Sequence, residues 1–185
     1  MTELADAYRR RADAFAALIE ATPPERWTDP SPCDGWRAQD VVAHVVDHSA
    51  RVLRDKGVAN PPAFADFDGP RAAFRANRKV IEGLLDDSTT PPKVATYIHW
   101  ALSFDLPQHG WDLAVATGQD ASIDPSELEL LWGSLNGDPA NWEWQRANGW
   151  YGPPVPIPDD APLQHRVLGL LGRNPGWTPP APTRP

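Results

Sequence analysis

The chain is poor in cysteine, in lysine and in long apolar runs, and each scarcity removes a class of function. Its one cysteine, Cys33, has no partner for an internal disulfide, which fits a reducing compartment. No apolar run reaches the ~18 residues that a membrane span needs, and the opening MTELADAYRRR has no apolar centre of the kind a signal peptide carries. A cytoplasmic protein is therefore expected. Lysine and arginine form no cluster, and the formal net charge is -8 with a pI near 5.0. A nucleic-acid backbone or an anionic membrane surface is then a poor partner, because phosphate contacts require grouped cations. There is also no phosphate-cradling glycine loop, internal repeat, coiled-coil heptad, close Cys/His zinc-finger spacing or strand-rich section.

What remains is an ordinary globular balance, 41% hydrophobic and 23% charged, in 185 residues. That length suits one domain with a full core, expected over residues 1–177. The 22 prolines are the unusual feature. They gather at Pro23-Pro24, Pro61-Pro62, Pro91-Pro92, Pro153 to Pro158 and the last few residues, so they mark loops. Residues 178–185 are expected to be a disordered proline-rich tail. The excess of arginine over lysine and the many Ala, Gly and Pro residues hint at a high-G+C bacterial genome.

Between the prolines the apolar residues recur at helical spacing. Leu4, Tyr8, Ala12, Phe15 and Ile19 predict a helix over 2–21, with Thr2 able to cap it. A turn-rich loop containing Trp27, Cys33 and Trp36 follows. Cys33 reads either as a small packing thiol or as a nucleophile, and Asp34 beside it disfavours a thiolate. Val41, Val42, Val45, Val46, Val52 and Leu53 predict a second helix over 38–55, whose other side carries Asp40, His44, Asp47, His48 and Arg51. Phe74, Asn77, Ile81 and Leu84 predict a third over about 70–85. Asp124 starts a helix carrying Leu128, Leu131, Trp132 and Leu135, and a last short helix is expected over about 161–172. Between them, Trp142, Trp144, Trp150 and Tyr151 read as core lids or as an aromatic wall. The sum is an all-α bundle with four long helices.

The chemistry concentrates in IHWALSFDLPQHGWDLAVATGQ, residues 98–119. Asp105 and His109 lie four apart, so on a helix they share a face and can offer two metal ligands together. The same spacing also fits a core stripe of Leu102, Leu106, His109 and Leu113. His44 and His48 are further ligand candidates, and spacing alone does not choose between them. Pro107 stands between Asp105 and His109 and predicts a kink, since it cannot bond the carbonyl of Ser103.

The ordered motifs SPCDGW, DVVAHVV, HGWDLAVATGQD, YGPPV and LLGRNPGW resemble the actinobacterial branch of the DinB-like superfamily. More closely, the chain is similar to proteins related to mycothiol-dependent maleylpyruvate isomerase. The resemblance runs from the first helix to Trp177. It implies a four-helix bundle with additional short C-terminal helices. It also implies a divalent metal near one end of the bundle, usually zinc, held by His44, Asp105 and His109. It thus favours His44 over His48. The isomerase type has glutamate where this chain has Asp105, one methylene shorter. Two imidazoles and one carboxylate suit zinc, and also nickel or iron(II).

Three protein ligands leave a coordination position open, as in catalytic rather than structural zinc sites. The expected function is S-transfer or isomerisation of a small electrophile by a low-molecular-weight thiol such as mycothiol. Asp112 and Arg51 could orient ligands or substrate, or simply form surface salt bridges. Two other readings share the scaffold: a metal-dependent hydrolase, and a non-catalytic protein binding a metal or a small ligand beneath Trp36, Trp100 and Trp111. The partners expected are small molecules, with the chain a monomer or homodimer.

Overall fold

A computed structural model describes residues 2–180, with only the backbone of Thr2. The cap expected of the Thr2 side chain and the end of the expected tail, 181–185, lie outside the described residues. Among those residues there are eight α-helices and no strand, and one isolated bridge pairs Pro30 with Arg37. The helices are α1 (Thr2–Ala21), α2 (Ala38–Asp55), α3 (Pro70–Asp86), α4 (Pro92–Tyr97), α5 (Asp105–Thr117), α6 (Pro125–Gly137), α7 (Pro139–Ala147) and α8 (Leu163–Leu170). None is long and apolar enough to cross a membrane. The chain divides into two compact units, Met1–Asp120 and Ala121–Pro185.

The first unit is the expected all-α, DinB-like four-helix bundle. Helix α1 packs on α3 and α5, and α2 packs on the same two, so the order around the bundle is α1, α3, α2, α5. Periodicity explains which faces turn inward. Tyr8, Ala12, Phe15 and Ile19 are each no more than 1% exposed along α1, as are Val41, Val42, Val46 and Leu53 along α2. At roughly 25 cal/mol per Å² of buried apolar surface, these stripes supply the main drive for assembly. On α3 the inward residues are Phe74, Asn77, Ile81 and Leu85, while Leu84 is only partly buried against the core. The ring of Phe74 meets Phe15 edge to face at 5.0 Å. At its N-terminus α2 is closed by Asp40, whose carboxylate accepts the Arg37 backbone N–H at 2.8 Å.

Upstream of Pro107, where a kink was expected, the helix changes its hydrogen-bond register. Helix α4 passes into a π-helical turn, Ile98–Ser103, and α5 begins afresh at Asp105. Pro107 thus falls in the first turn of α5, where backbone N–H groups have no intrahelical partner and a missing donor costs little. The turn is pinned from α1: Arg11, 4% exposed, donates to Ser103 Oγ at 2.7 Å and lies over the Phe104 ring at 4.6 Å. At its other end α5 stops at Gly118, which is left-handed at φ 71°, while the Gln119 N–H bonds Ala114 O at 2.8 Å. Gly118→Ala is expected to lower stability by about 1 kcal/mol, read as a shifted urea midpoint at constant slope. No shift would mean that the helix end does not need its left-handed residue.

In the second unit, α6 packs on α7 and α8. Asp124 caps α6 by accepting the Ser126 N–H at 2.8 Å. Of the aromatic group, Trp142 is buried and donates to Ser134 O at 3.0 Å, with Tyr151 edge-on to it at 4.9 Å. Trp144 and Trp150 are exposed.

Candidate metal centre

The candidate ligands lie on two neighbouring helices of the first unit. Helix α2 contributes His44 and His48 from the margin of its valine face, and α5 contributes Asp105 from its first turn and His109 one turn on. Because α5 begins at Asp105, the two α5 groups share an unbroken α-helical turn and the four-residue spacing places them on one face.

Imidazoles converge on one carboxylate oxygen. Asp105 Oδ2 is 3.7 Å from His44 Nε2 and 3.6 Å from His109 Nε2. The donor atoms of His44, Asp105 and His109 all lie within 4.8 Å of one another. Ligands at ~2.0–2.1 Å from a tetrahedral zinc would stand ~3.4 Å apart. The group therefore fits such an ion without large movement. His48 turns Nδ1 to the same Oδ2 at 3.2 Å, so it supports the carboxylate rather than joining the two Nε2 atoms. The buried side chain of Gln108 donates to the other oxygen, Oδ1, at 2.6 Å.

Electrostatics follow from this crowding. Burial alone would raise the Asp105 pKa. The charge of His109 and the hydrogen bonds from His44 and His48 act the other way and hold the carboxyl well below the ordinary range. An ionised carboxylate among imidazoles is what a divalent cation requires.

Behind His109 a second layer is formed. Its Nδ1 is 2.9 Å from Asp112 Oδ2, and Asp112 is wholly buried. The bond to that carboxylate keeps a proton on Nδ1, so Nε2, which faces Asp105 and His44, is the nitrogen that would give up its proton to bind an ion. Cys33 Sγ lies 3.3 Å from the same Oδ2. Trp36 walls the group, its ring 4.9 Å from His44 and stacked on His109 at 6.2 Å and 26°.

The remaining candidates sit elsewhere. Arg51 is on the exposed side of α2. Trp100 is 57% exposed and stacks on Phe104 at 4.9 Å. Trp111 is buried on α5. Two residues of the group were not singled out from the sequence as part of it, Gln108 and Cys33. The first was detectable in principle, since it stands three residues after Asp105. The second meets Asp112 across 79 positions and carried no local sign.

Residues 8–88 match the family described as the Mycothiol maleylpyruvate isomerase N-terminal domain. That stretch holds Cys33, Trp36, His44 and His48, while Asp105 and His109 lie beyond it. The chain is also similar to uncharacterised proteins of Mycobacterium tuberculosis, one from strain CDC 1551 / Oshkosh and one from strain ATCC 25618 / H37Rv. Each is 32% identical over 132 residues, covering 64% of this chain and 70% of the relative. No solved structure matches the chain. An alignment that covers most of the mycobacterial relatives and is longer than the domain match carries the likeness past residues 8–88, and the chain belongs to the family of the mycothiol maleylpyruvate isomerase N-terminal domain.

Proposed function

We propose that the chain is a divalent-metal-dependent enzyme that uses a low-molecular-weight thiol of the mycothiol type on a small electrophilic substrate, by S-transfer or by double-bond isomerisation. What carries the reading is the approach of two imidazole Nε2 atoms, from different helices, to one ionised carboxylate oxygen. The family's printed description, which names mycothiol and an isomerase, supports the choice of thiol.

His44, Asp105 and His109 would hold the ion, with zinc best suited and nickel or iron(II) compatible. Bound there, it would supply Lewis acidity sufficient to ionise a thiol or a water near neutral pH. The chain's own residues prepare the place. Asp112 holds His109 in the ligating tautomer. His48 and Gln108 hold both oxygens of Asp105, one each, so the carboxylate cannot rotate out of the group. Trp36 packs beside the His44 and His109 rings and restrains both. No protein nucleophile is needed, and the Cys33 thiol is engaged with Asp112.

Elemental analysis of the purified chain is expected to find about one divalent ion per chain. Zinc-loaded protein should then consume mycothiol with an activated alkene or halide, and chelation should abolish the reaction. A chain that stays metal-free in excess zinc would overturn the enzyme reading in favour of a small-ligand-binding protein. Metal-dependent turnover indifferent to thiol would make it a hydrolase.

A further inference from the structure

We propose that Cys33 is a positioning residue of the candidate centre, acting on His109 through the carboxylate of Asp112. The inference rests on the metal-centre reading for its consequence and on geometry for its substance. The loop before α2 is closed on itself: the Ser31 N–H donates to Trp36 O at 2.9 Å, the Trp36 N–H to Cys33 O at 3.0 Å, and the Ala38 N–H to Asp29 O at 2.8 Å. The Cys33 N–H also donates to Ser31 Oγ at 3.2 Å. The thiol thus projects from a braced turn, not from a loose strand of loop.

Asp112 Oδ2 accepts from two sides, from Cys33 Sγ at 3.3 Å and from His109 Nδ1 at 2.9 Å. A thiol is a weak donor, so the bond adds little stability by itself. Its effect is angular. An Oδ2 held between sulfur and imidazole keeps its lone pair aimed at Nδ1–H. The same turn supplies Trp36, which stacks on the His109 ring. One short loop therefore restrains both the edge of His109, through Asp112, and its face, through Trp36.

Sulfur, imidazole and carboxylate are also metal-ligating types, and the donor atoms of Cys33, His109 and Asp112 lie within 4.8 Å of one another. These groups are already closed on each other by hydrogen bonds, and His109 Nδ1 is the atom so engaged. The positioning role needs no second ion, and the two possibilities differ spectroscopically.

The test compares the full-length wild type with Cys33→Ala and Cys33→Ser, each confirmed folded by circular dichroism. In metal-free protein, the ¹⁵N shifts of His109 report its tautomer. Wild type and Cys33→Ser should give the Nδ1–H form, since a hydroxyl also donates to Asp112, and Cys33→Ala a mixture. With cobalt(II), Cys33→Ala should bind more weakly by chelator competition, by up to ~10-fold, less than the loss of a group that touches a ligand directly, with Cys33→Ser close to wild type. An unchanged tautomer in Cys33→Ala overturns the proposal, and so does unchanged cobalt affinity. A thiolate-to-cobalt charge-transfer band lost in both variants overturns it as well, by making Cys33 a ligand. A wild type that takes up no cobalt sinks the metal-centre reading instead, and the tautomer measurement still decides the role of Cys33.

Discussion

His109→Ala is expected to lower zinc affinity by at least ~100-fold, because the residue would be a direct ligand and losses one layer further out already reach 10- to 100-fold. His44→Ala should behave alike, and His48→Ala should lose less, about 10-fold, since its Nδ1 steadies the Asp105 carboxylate without itself being a ligand. Folding has to be separated from binding. Removing His109 leaves the buried Asp112 carboxylate without that donor, at a cost of about 1–3 kcal/mol. His44 is more exposed and offers the cleaner comparison. The measurement is a zinc titration with thermal unfolding at each concentration. Zinc at about 100 times its Kd should stabilise the wild type by about 2.7 kcal/mol and the His44 and His109 variants by no more than about 0.4 kcal/mol. Equal stabilisation of all four proteins would show that zinc binds elsewhere.

Gly169→Ala is the second large effect, and its sign opposes the usual rule. In a helix interior, alanine is favoured over glycine by about 1 kcal/mol. At Gly169 on α8, an added Cβ would lie 2.4 Å from Ile157 Cγ1 and 2.8 Å from the Val155 carbonyl oxygen. The first is mid-chain in a β-branched residue and could move only by a change of χ1. The second belongs to backbone, whose own N–H is bonded to Gly169 O at 2.9 Å. Displacing that segment would break the bond and open the packing, so the clash should win by about 1–3 kcal/mol net. Gly133 on α6 is the control, since a Cβ there meets nothing within 4 Å. Gly133→Ala should stabilise by about 0.5–1 kcal/mol. Urea unfolding of both variants checks the pair. A Gly169→Ala protein as stable as wild type would mean that the Val155 to Ile157 segment does not bear on α8 as described.

What the sequence disclosed follows the range of the forces involved. The faces of α1 and α2 were legible because apolar periodicity is local and α-helical phase is regular over a few turns. Leu84 was expected inward and Leu85 takes that place, a one-residue drift of the kind a broad apolar stripe allows. The course of the chain around Pro107, where a kink was expected, was not legible in its detail. What relieves Pro107 is a change of hydrogen-bond register upstream, held by Arg11 from 92 positions away. At the centre, Asp105 and His109 could be paired from spacing. His44 and His48 could not be told apart, because both sit at the margin of one face. The difference between them is which ring nitrogen meets Asp105, a consequence of packing between α2 and α5. Asp112 was within reach of local inference, one turn after His109, whereas Cys33, which meets Asp112 across 79 positions, was not.

The π-helical turn has a meaning for descent as well as for shape. Such a turn holds one residue more than an α-helical turn, so Ile98–Ser103 has the form of a single-residue insertion that the fold has absorbed without discarding it. Asp105 and His109 lie wholly after it, and the extra residue changes the phase of what comes before Asp105 while leaving the Asp105 to His109 interval untouched. A relative with a regular helix here would align with one gap between residues 98 and 104 and keep its carboxylate and histidine four apart. In such a relative Trp100 would have no counterpart in phase, and the surface it occupies would be free to differ between lineages that share the same centre.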